Sequence, residues 1–268
     1  MNKALILSDL HLGNPSCKAK TIVRVLNQED FEILFIDGDL FDCLNLGRLP
    51  KSHWKVLTRV RKISKRKRVI LIRGNHDTID FEALEALLGI ETHAEFMWEH
   101  EGKKFLFVHG DIFDHFVLGW PRLNEWLTTL YYHAHKFKPL RYVVDRILQS
   151  GNKSSALEFR KRADKFREHK RADYVICGHT HFPEIFPSYA NSGSFLGNPC
   201  TYLTIGQETS TATCGVELRE IQDVEAEANE EGEEKKESPN PTPAPLAALA
   251  AWDGAKEEDE PKAGRMAV

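Results

Sequence analysis

This chain has no run of eighteen or more apolar residues, no Cys-x-x-Cys pair and no cleavable leader pattern at its start. The first absence excludes an ordinary membrane-spanning helix. The start, MNKALILSDLHLG, runs from Met-Asn-Lys straight into a short strand-like stretch, so the expectation is a protein made and kept in the cytosol. Five cysteines, Cys17, Cys43, Cys177, Cys200 and Cys214, are scattered and odd in number. They support neither a disulfide framework nor a thiolate zinc site, and read as small buried hydrophobes.

What is present suits one sizeable domain: 268 residues, 41% hydrophobic and 28% charged. The net charge of −4 is unevenly spread, because the segment from Asp223 onward holds 13 acidic and 5 basic residues and leaves the body at about +4. That segment carries SPNPTPAPLAALAAW and the acidic runs EEGEEKKE and KEEDE. It lacks the apolar surface to offset its chain entropy. The expected division is a folded domain over 1–222 and a disordered acidic, Pro/Ala-rich tail over 223–268.

Within the body, short apolar runs alternate with amphipathic stretches. ALIL (4–7), EILFI (32–36), RVILI (68–72), KFLFV (104–108) and YVIC (174–177) read as strands; 18–27, 51–66 and 80–88 read as helices. This is the rhythm of an α/β sheet. After residue 181 the strands crowd together in FPEIFP, YANSGSF, CTYLTIG and ATCGVEL, which predicts a terminal antiparallel group and two sheets face to face with helices outside. A helical insertion is expected over about 112–172. In it Phe116, Trp120, Leu123, Leu127 and Leu130 form one apolar stripe, and 12 Lys/Arg face 5 Asp/Glu between His133 and Asp173.

Each strand end is followed by residues able to ligate metal: Asp9 and His11; Asp39 and Asp42; Asn75, His76 and Asp77; His109; and His179 and His181. In α/β sheets ligands gather at the carboxyl ends of strands, so five such loops can converge. A carboxylate such as Asp39 can bridge two cations, with Asp9, His11 and His181 completing one site and Asn75, His109 and His179 the other. Two cations about 3.5–4 Å apart would clamp a phosphate for in-line attack. Imidazole, carboxylate and amide oxygen without thiolate point to Mn²⁺, with Fe or Zn²⁺ as alternatives. Glycines 38, 74, 110 and 178 would let the backbone turn sharply beside the ligands. If GHTH is extended, alternation turns both imidazoles to the site and Thr180 away.

The blocks SDLHLG, GDLFD, GNHD, HGD and GHTH, in this order over residues 3–219, resemble the signature of the calcineurin-like metallophosphoesterases. The resemblance implies a four-layer sandwich of two mixed sheets between helices, with a binuclear centre held by the seven ligands above. It further implies that His76, held by its neighbour Asp77, contacts phosphate and protonates the leaving group. Asp42 would orient a ligand, and Asp114, just after HGD, would touch substrate or cap a helix. GNHD and GDLFDCL differ from the GNHE and GD-x-x-DRG blocks of protein phosphatases. The insertion and YANSGSF look most like the UDP-2,3-diacylglucosamine hydrolases of lipid A synthesis, which cleave a pyrophosphate at the inner membrane face to release UMP. Such a protein would take a phosphorylated or lipid-linked substrate and touch the membrane peripherally through its basic cap. Members of that group carry GNRD where this chain has His76. An arginine stabilises charge on a phosphate leaving group, whereas a histidine can protonate an alkoxide, so His76 points either to a divergent branch of the lipid A enzymes or to another phosphomonoesterase or phosphodiesterase acting on a nucleotide or small molecule. A binding scaffold with a decayed site is disfavoured because every ligand position holds a competent residue. The basic stretch RVRKISKRKR (59–68) is read as the outer face of a helix, not as a nucleic-acid surface.

Overall fold

A computed structural model of the chain describes residues 2–42, 49–113, 156–206 and 215–223. The order of elements is β1 (Asn2–Leu7), α1 (Ala19–Gln28), β2 (Phe31–Asp37), α2 (Lys51–Ser64), β3 (Arg68–Ile72), α3 (Phe81–Leu88), β4 (Glu91–His93), β5 (Phe96–His100) and β6 (Lys103–Phe107). A 3-10 turn (Asp111–Phe113) and helix α4 (156–170) precede β7 (Tyr174–Cys177), β8 (Glu184–Phe186), β9 (Tyr189–Asn191), β10 (Cys200–Ile205) and β11 (Val216–Ile221). Asp114, the apolar stripe between Phe116 and Leu130, Cys43, Cys214 and nearly all of the expected tail lie outside the described residues.

The strands form two sheets, ordered β11-β10-β1-β2-β3-β4 and β5-β6-β7-β9-β8. Alternation along each strand assigns its side chains to two different cores. From β1, β2 and β3, the residues Leu5, Leu7, Leu34, Ile36, Val69 and Leu71 face α1, α2 and α3. Their neighbours Ala4, Ile6, Phe35, Ile70 and Ile72 face Phe105, Phe107, Tyr174 and Ile176 of the second sheet. There Phe35 stacks on Phe107 at 3.9 Å between ring centroids, and burying one such ring stabilises by about 1.5–3 kcal/mol. On the far side of the second sheet, Leu106, Val108, Val175 and Cys177 pack on Phe159, Ala163 and Phe166 of α4. The layers are therefore helices, sheet, sheet, helix. Strands covered on both faces explain the uninterrupted apolar runs.

β1 to β4 are mutually parallel, as are β6, β7 and β9, so the carboxyl ends of β1, β2, β3, β6 and β7 share one edge of the sandwich. The closing strands do not form one antiparallel group. β8 and β9 pair with each other and β9 extends the second sheet beside β7, whereas β10 crosses back to lie antiparallel to β1, with β11 outside it. Each pair takes a free sheet edge, a choice that local pattern does not record. β4 and β5 are also additional to the sequence reading. β4 is three residues long, and β5 joins β6 through the two-residue turn Glu101-Gly102, whose φ angles of 50° and 75° are those of a tight hairpin.

Asp223, the last described residue, is part of the folded body. It is buried, ion-paired with Lys18 at 2.7 Å and hydrogen-bonded by the Thr21 hydroxyl at 2.9 Å. The basic stretch after residue 58 is largely occupied in binding the body to itself. Arg59 donates to the Leu26 carbonyl, Arg61 to that of Leu87 and Lys67 to that of Phe31, and Arg68 forks onto Glu91. Among the described residues, no helix is long and apolar enough to cross a membrane.

Candidate metal centre

The five loops meet at the shared strand-end edge. His181 Nε2 lies 3.0 Å from Asp9 Oδ1, and His11 Nε2 lies 3.7 Å from Asp9 Oδ1, 3.6 Å from Asp39 Oδ2 and 3.2 Å from His181 Nε2. On the other side His109 Nε2 lies 3.3 Å from the same Asp39 Oδ2, and His179 Nδ1 lies 3.0 Å from Asn75 Oδ1. All seven expected ligands, from all five loops, are thus brought together. Asp9, His11, Asp39 and His109 are buried; Asn75 and His179 are half-buried and His181 is exposed.

Supporting contacts fix which atoms face inward. His109 Nδ1 lies 2.8 Å from the Asp37 carbonyl, to which it can only donate, so Nε2 carries the lone pair. His11 Nδ1 lies 3.2 Å from Asp42 Oδ1, an ion-pair contact without hydrogen-bond geometry, and Asn14 donates to that oxygen at 3.0 Å. Asp39 Oδ1 accepts the His76 amide at 2.9 Å, which leaves Oδ2 between the two imidazoles. Asp9 Oδ2 accepts the Ser8 hydroxyl and the His179 amide, leaving Oδ1 toward His11 and His181. The centre is therefore lined by lone pairs facing lone pairs.

Such an arrangement fits divalent cations. Asp9 Oδ1 and His109 Nε2 are buried and have no hydrogen-bond partner, and only a proton or a cation can reconcile the atoms that confront them. The groups Asp9–His11–His181 and Asp9–Asp39–His109 each present ligand atoms within 4.8 Å of one another, as do His11, Asp39 and His76. The electrostatics agree. Burial opposes charge on His11, yet Asp42, Asp9 and Asp39 outweigh it and push the imidazole up to about 10. Burial likewise opposes charge on His109, which Asp39 above all holds well above the ordinary range. Asp9 and Asp39 are held below theirs, against burial, by the surrounding histidines. The same negative potential that would hold protons on these rings would hold cations instead.

Backbone geometry departs from the sequence expectation in two ways. GHTH is not extended: His179 and His181 both have left-handed φ, at 67° and 57°. Thr180 still turns from the site, but because its hydroxyl accepts from Asn191 at 3.2 Å, not through strand alternation. Asp9, His11 and Asp39 share the left-handed conformation, with φ of 52°, 45° and 51°. Each such residue costs roughly 1–3 kcal/mol, and the clustering of five of them here marks a functional site. Of the four glycines, Gly38 and Gly110 do turn with positive φ, at 84° and 109°, whereas Gly74 and Gly178 serve differently. Gly178 is required by close approach, since a Cβ there would lie 1.7 Å from Ser8 Oγ and 2.5 Å from Asp9 Oδ2; Gly74 likewise would strike Asp39 Oδ1 at 2.2 Å. Gly178→Ala is expected to destabilise the protein by about 1–3 kcal/mol and to displace Asp9, which parallel urea unfolding and metal-content measurements would reveal.

Asp77 does not orient His76 through its side chain. Its carboxylate accepts the amides of Phe41 at 3.2 Å and Gly74 at 3.1 Å, stitching the third loop to the second. His76 is instead held at Nδ1 by the Asp42 carbonyl, at 3.1 Å. Two successive residues in a turn point apart, which is why adjacency misled. Asp42 lies against His11, one of the ligand candidates.

Other participants carry no sequence signal of their own. Asp37, whose two carboxyl oxygens are buried without a hydrogen bond, is pushed up to about 8 by burial and by the charges of Asp9 and Asp111, against the pull of His109. Phe159 of α4 lies nearly parallel to the His179 ring at 6.2 Å. Asn191 reaches the GHTH loop from β9. All three are found through contacts between residues remote in sequence.

Comparison with solved structures finds distant likenesses. A predicted phosphoesterase from Streptococcus pneumoniae TIGR4 is 13% identical with a TM-score of 0.35. The phosphoesterase Yfce from E. coli is 18% identical with a TM-score of 0.43, and a Vps29 single mutant from Entamoeba histolytica is 14% identical with a TM-score of 0.42. Each alignment covers 82% of this chain and 98% of the other, and at these scores none bears on what this chain does. No curated protein matches the chain. A family description does: the Calcineurin-like phosphoesterase family matches residues 3–183, the span that holds all five ligand-bearing loops. The chain therefore belongs to the calcineurin-like phosphoesterases, hydrolases that act on phosphoester bonds.

Proposed function

We propose that the seven ligand candidates hold two divalent cations, Mn²⁺ in the first instance, and that His76 acts as the acid toward the leaving group. The observation that carries this reading is Asp39 Oδ2, set between His11 Nε2 at 3.6 Å and His109 Nε2 at 3.3 Å, as a bridging oxygen requires. Asp9, His11 and His181 complete one position, and Asn75, His109 and His179 the other. When bound, the two cations supply charge neutralisation for phosphate and a nucleophile at neutral pH. The chain's own residues set the geometry. The Asp37 carbonyl locks the tautomer of His109, Asp42 pairs its charge with His11, and the amide of His76 fixes Asp39. His76, half-buried and 5.0 Å from His11 between ring centroids, stands at the rim with Nδ1 engaged by the Asp42 carbonyl. With Nδ1 donating to that carbonyl, Nε2 is the nitrogen that exchanges a proton with a departing oxygen. Asp77 holds the His76 loop against the Asp39 loop without touching substrate.

For the substrate, the block order, the insertion after HGD and YANSGSF support the pyrophosphate of a UDP-sugar lipid of the UDP-2,3-diacylglucosamine type, cleaved to UMP and a lipid phosphate. That substrate would bring the protein to the membrane surface through the basic residues of its insertion. His76, in place of arginine, favours a second reading, an ordinary phosphoester of a nucleotide or small molecule. Side-by-side assay of the Mn²⁺-loaded protein on UDP-2,3-diacylglucosamine, p-nitrophenyl phosphate and bis-p-nitrophenyl phosphate separates them. UMP release with little turnover of the aryl esters is the expected result. Turnover of the aryl esters alone would overturn the lipid assignment, and inactivity on all three with metal bound would overturn the catalytic one.

A further inference from the structure

Resting on that reading of the centre, we infer that Asn191 is a positioning residue that holds His179 and His181 in their ligating conformation. The GHTH loop is a poor clamp by itself. Its two histidines are both left-handed, a conformation that β-carbon-bearing residues leave when nothing holds them, and they must serve different cations from a three-residue span. The loop's internal support is the Thr180 amide, which donates to the Gly178 carbonyl at 2.8 Å.

Asn191 adds support from outside the loop, beside the His179 amide's bond to Asp9 Oδ2 and the Gly178 amide's bond to the His109 carbonyl. It is the last residue of β9, paired with Cys177 at the end of β7, so its side chain emerges beside the first residue of the loop. One amide nitrogen, Nδ2, donates both to the Gly178 carbonyl at 2.5 Å and to Thr180 Oγ1 at 3.2 Å. Its carbonyl accepts the Gly193 amide at 2.9 Å, which fixes the orientation of the side-chain amide. The residue has no exposed surface, so water cannot replace these bonds. Holding Gly178 and Thr180 on the outer side of the loop leaves the intervening and following imidazoles turned inward. An aspartate at this position would offer no N–H to the Gly178 carbonyl, and a leucine no polar contact at all. Of the three, only asparagine both donates to the loop and accepts from Gly193.

The test compares Asn191→Ala and Thr180→Val with Thr201→Val in the full chain. Thr201 serves as the control because its hydroxyl donates to the Ser192 carbonyl, in the same turn as Gly193, without touching GHTH. Mn²⁺ affinity of the chelator-stripped proteins is measured by titration calorimetry, and kcat and KM are measured after reloading on whichever substrate the side-by-side assay shows the parent to turn over. Removing a partner that orients metal ligands weakens affinity about 10–100-fold. Asn191→Ala is expected to show that loss, Thr180→Val a smaller one in the same direction, and Thr201→Val the affinity of the parent. Undiminished Mn²⁺ affinity in Asn191→Ala, or an equal loss in Thr201→Val, would overturn the positioning role. If Asn191→Ala does not fold, Thr180→Val decides, and parental affinity there overturns it. Failure of the parent protein itself to bind Mn²⁺ would instead overturn the dinuclear reading beneath it.

Discussion

Asp39→Ala is expected to strip both cations and to lower kcat/KM by at least about a thousandfold, the scale on which removing charge stabilisation from a transition state acts. The expectation follows from a single oxygen. Asp39 Oδ1 is committed to the His76 amide, so Oδ2 alone faces His11 and His109, one imidazole for each proposed position. Removing it leaves neither half with its bridging charge, and it also frees the loop that carries His76. Asp9→Ala, by contrast, removes a residue whose Oδ1 lies 3.0 Å from His181 and 3.7 Å from His11, both assigned to the first position, and should leave the second cation in place. Metal content by plasma emission, read beside activity, distinguishes the two. Two tightly held cations in Asp39→Ala would show that the bridge is elsewhere.

His76→Ala should divide substrates by leaving group. A positioned general acid contributes about 10²–10⁴-fold where the departing oxygen is a poor leaving group. An alkyl phosphate should therefore lose activity on that order, whereas p-nitrophenyl phosphate, whose phenolate departs unaided, should lose far less. The side chain is half-buried and the backbone amide that bonds Asp39 survives the substitution, so metal content should be unchanged. A plot of log kcat/KM against leaving-group pKa, steeper for the variant than for the parent, is the signature. Parallel plots would assign His76 to binding. The same experiment bears on substrate, because a lipid pyrophosphate leaves as a phosphate and should respond like the aryl ester.

The arrangement of loops explains why such a centre tolerates unfavourable conformations. Five left-handed ligand candidates cost stability locally, and they persist because Asp77, Asp42, Asn191 and the Asp37 carbonyl tie each loop to another. The two sheets beneath give those ties a rigid base, since strands sharing the inter-sheet core around Phe35 and Phe107 deliver loops from both sheets to one edge.

Much of this was written locally. Apolar runs of four or five residues marked β1, β2, β3, β6 and β7 to within two residues, because strands buried on both faces need no polar alternation. The ligand-bearing residues were legible for a related reason. Each follows a strand directly, and parallel strands carry their carboxyl ends to a common edge, so order along the chain implied convergence in space. Tertiary structure alone decided the rest. Which sheet edge β9 and β10 would take depends on edges left open by strands far away in sequence. Whether Asp77 or Asp42 would hold His76 depends on how one turn meets another. The left-handed turn of GHTH depends on Asn191, which sits beside that loop only because β9 pairs with β7. Sequence specified which atoms could bind metal, since that is a property of side chains; packing specified how they are held, since that is a property of pairs.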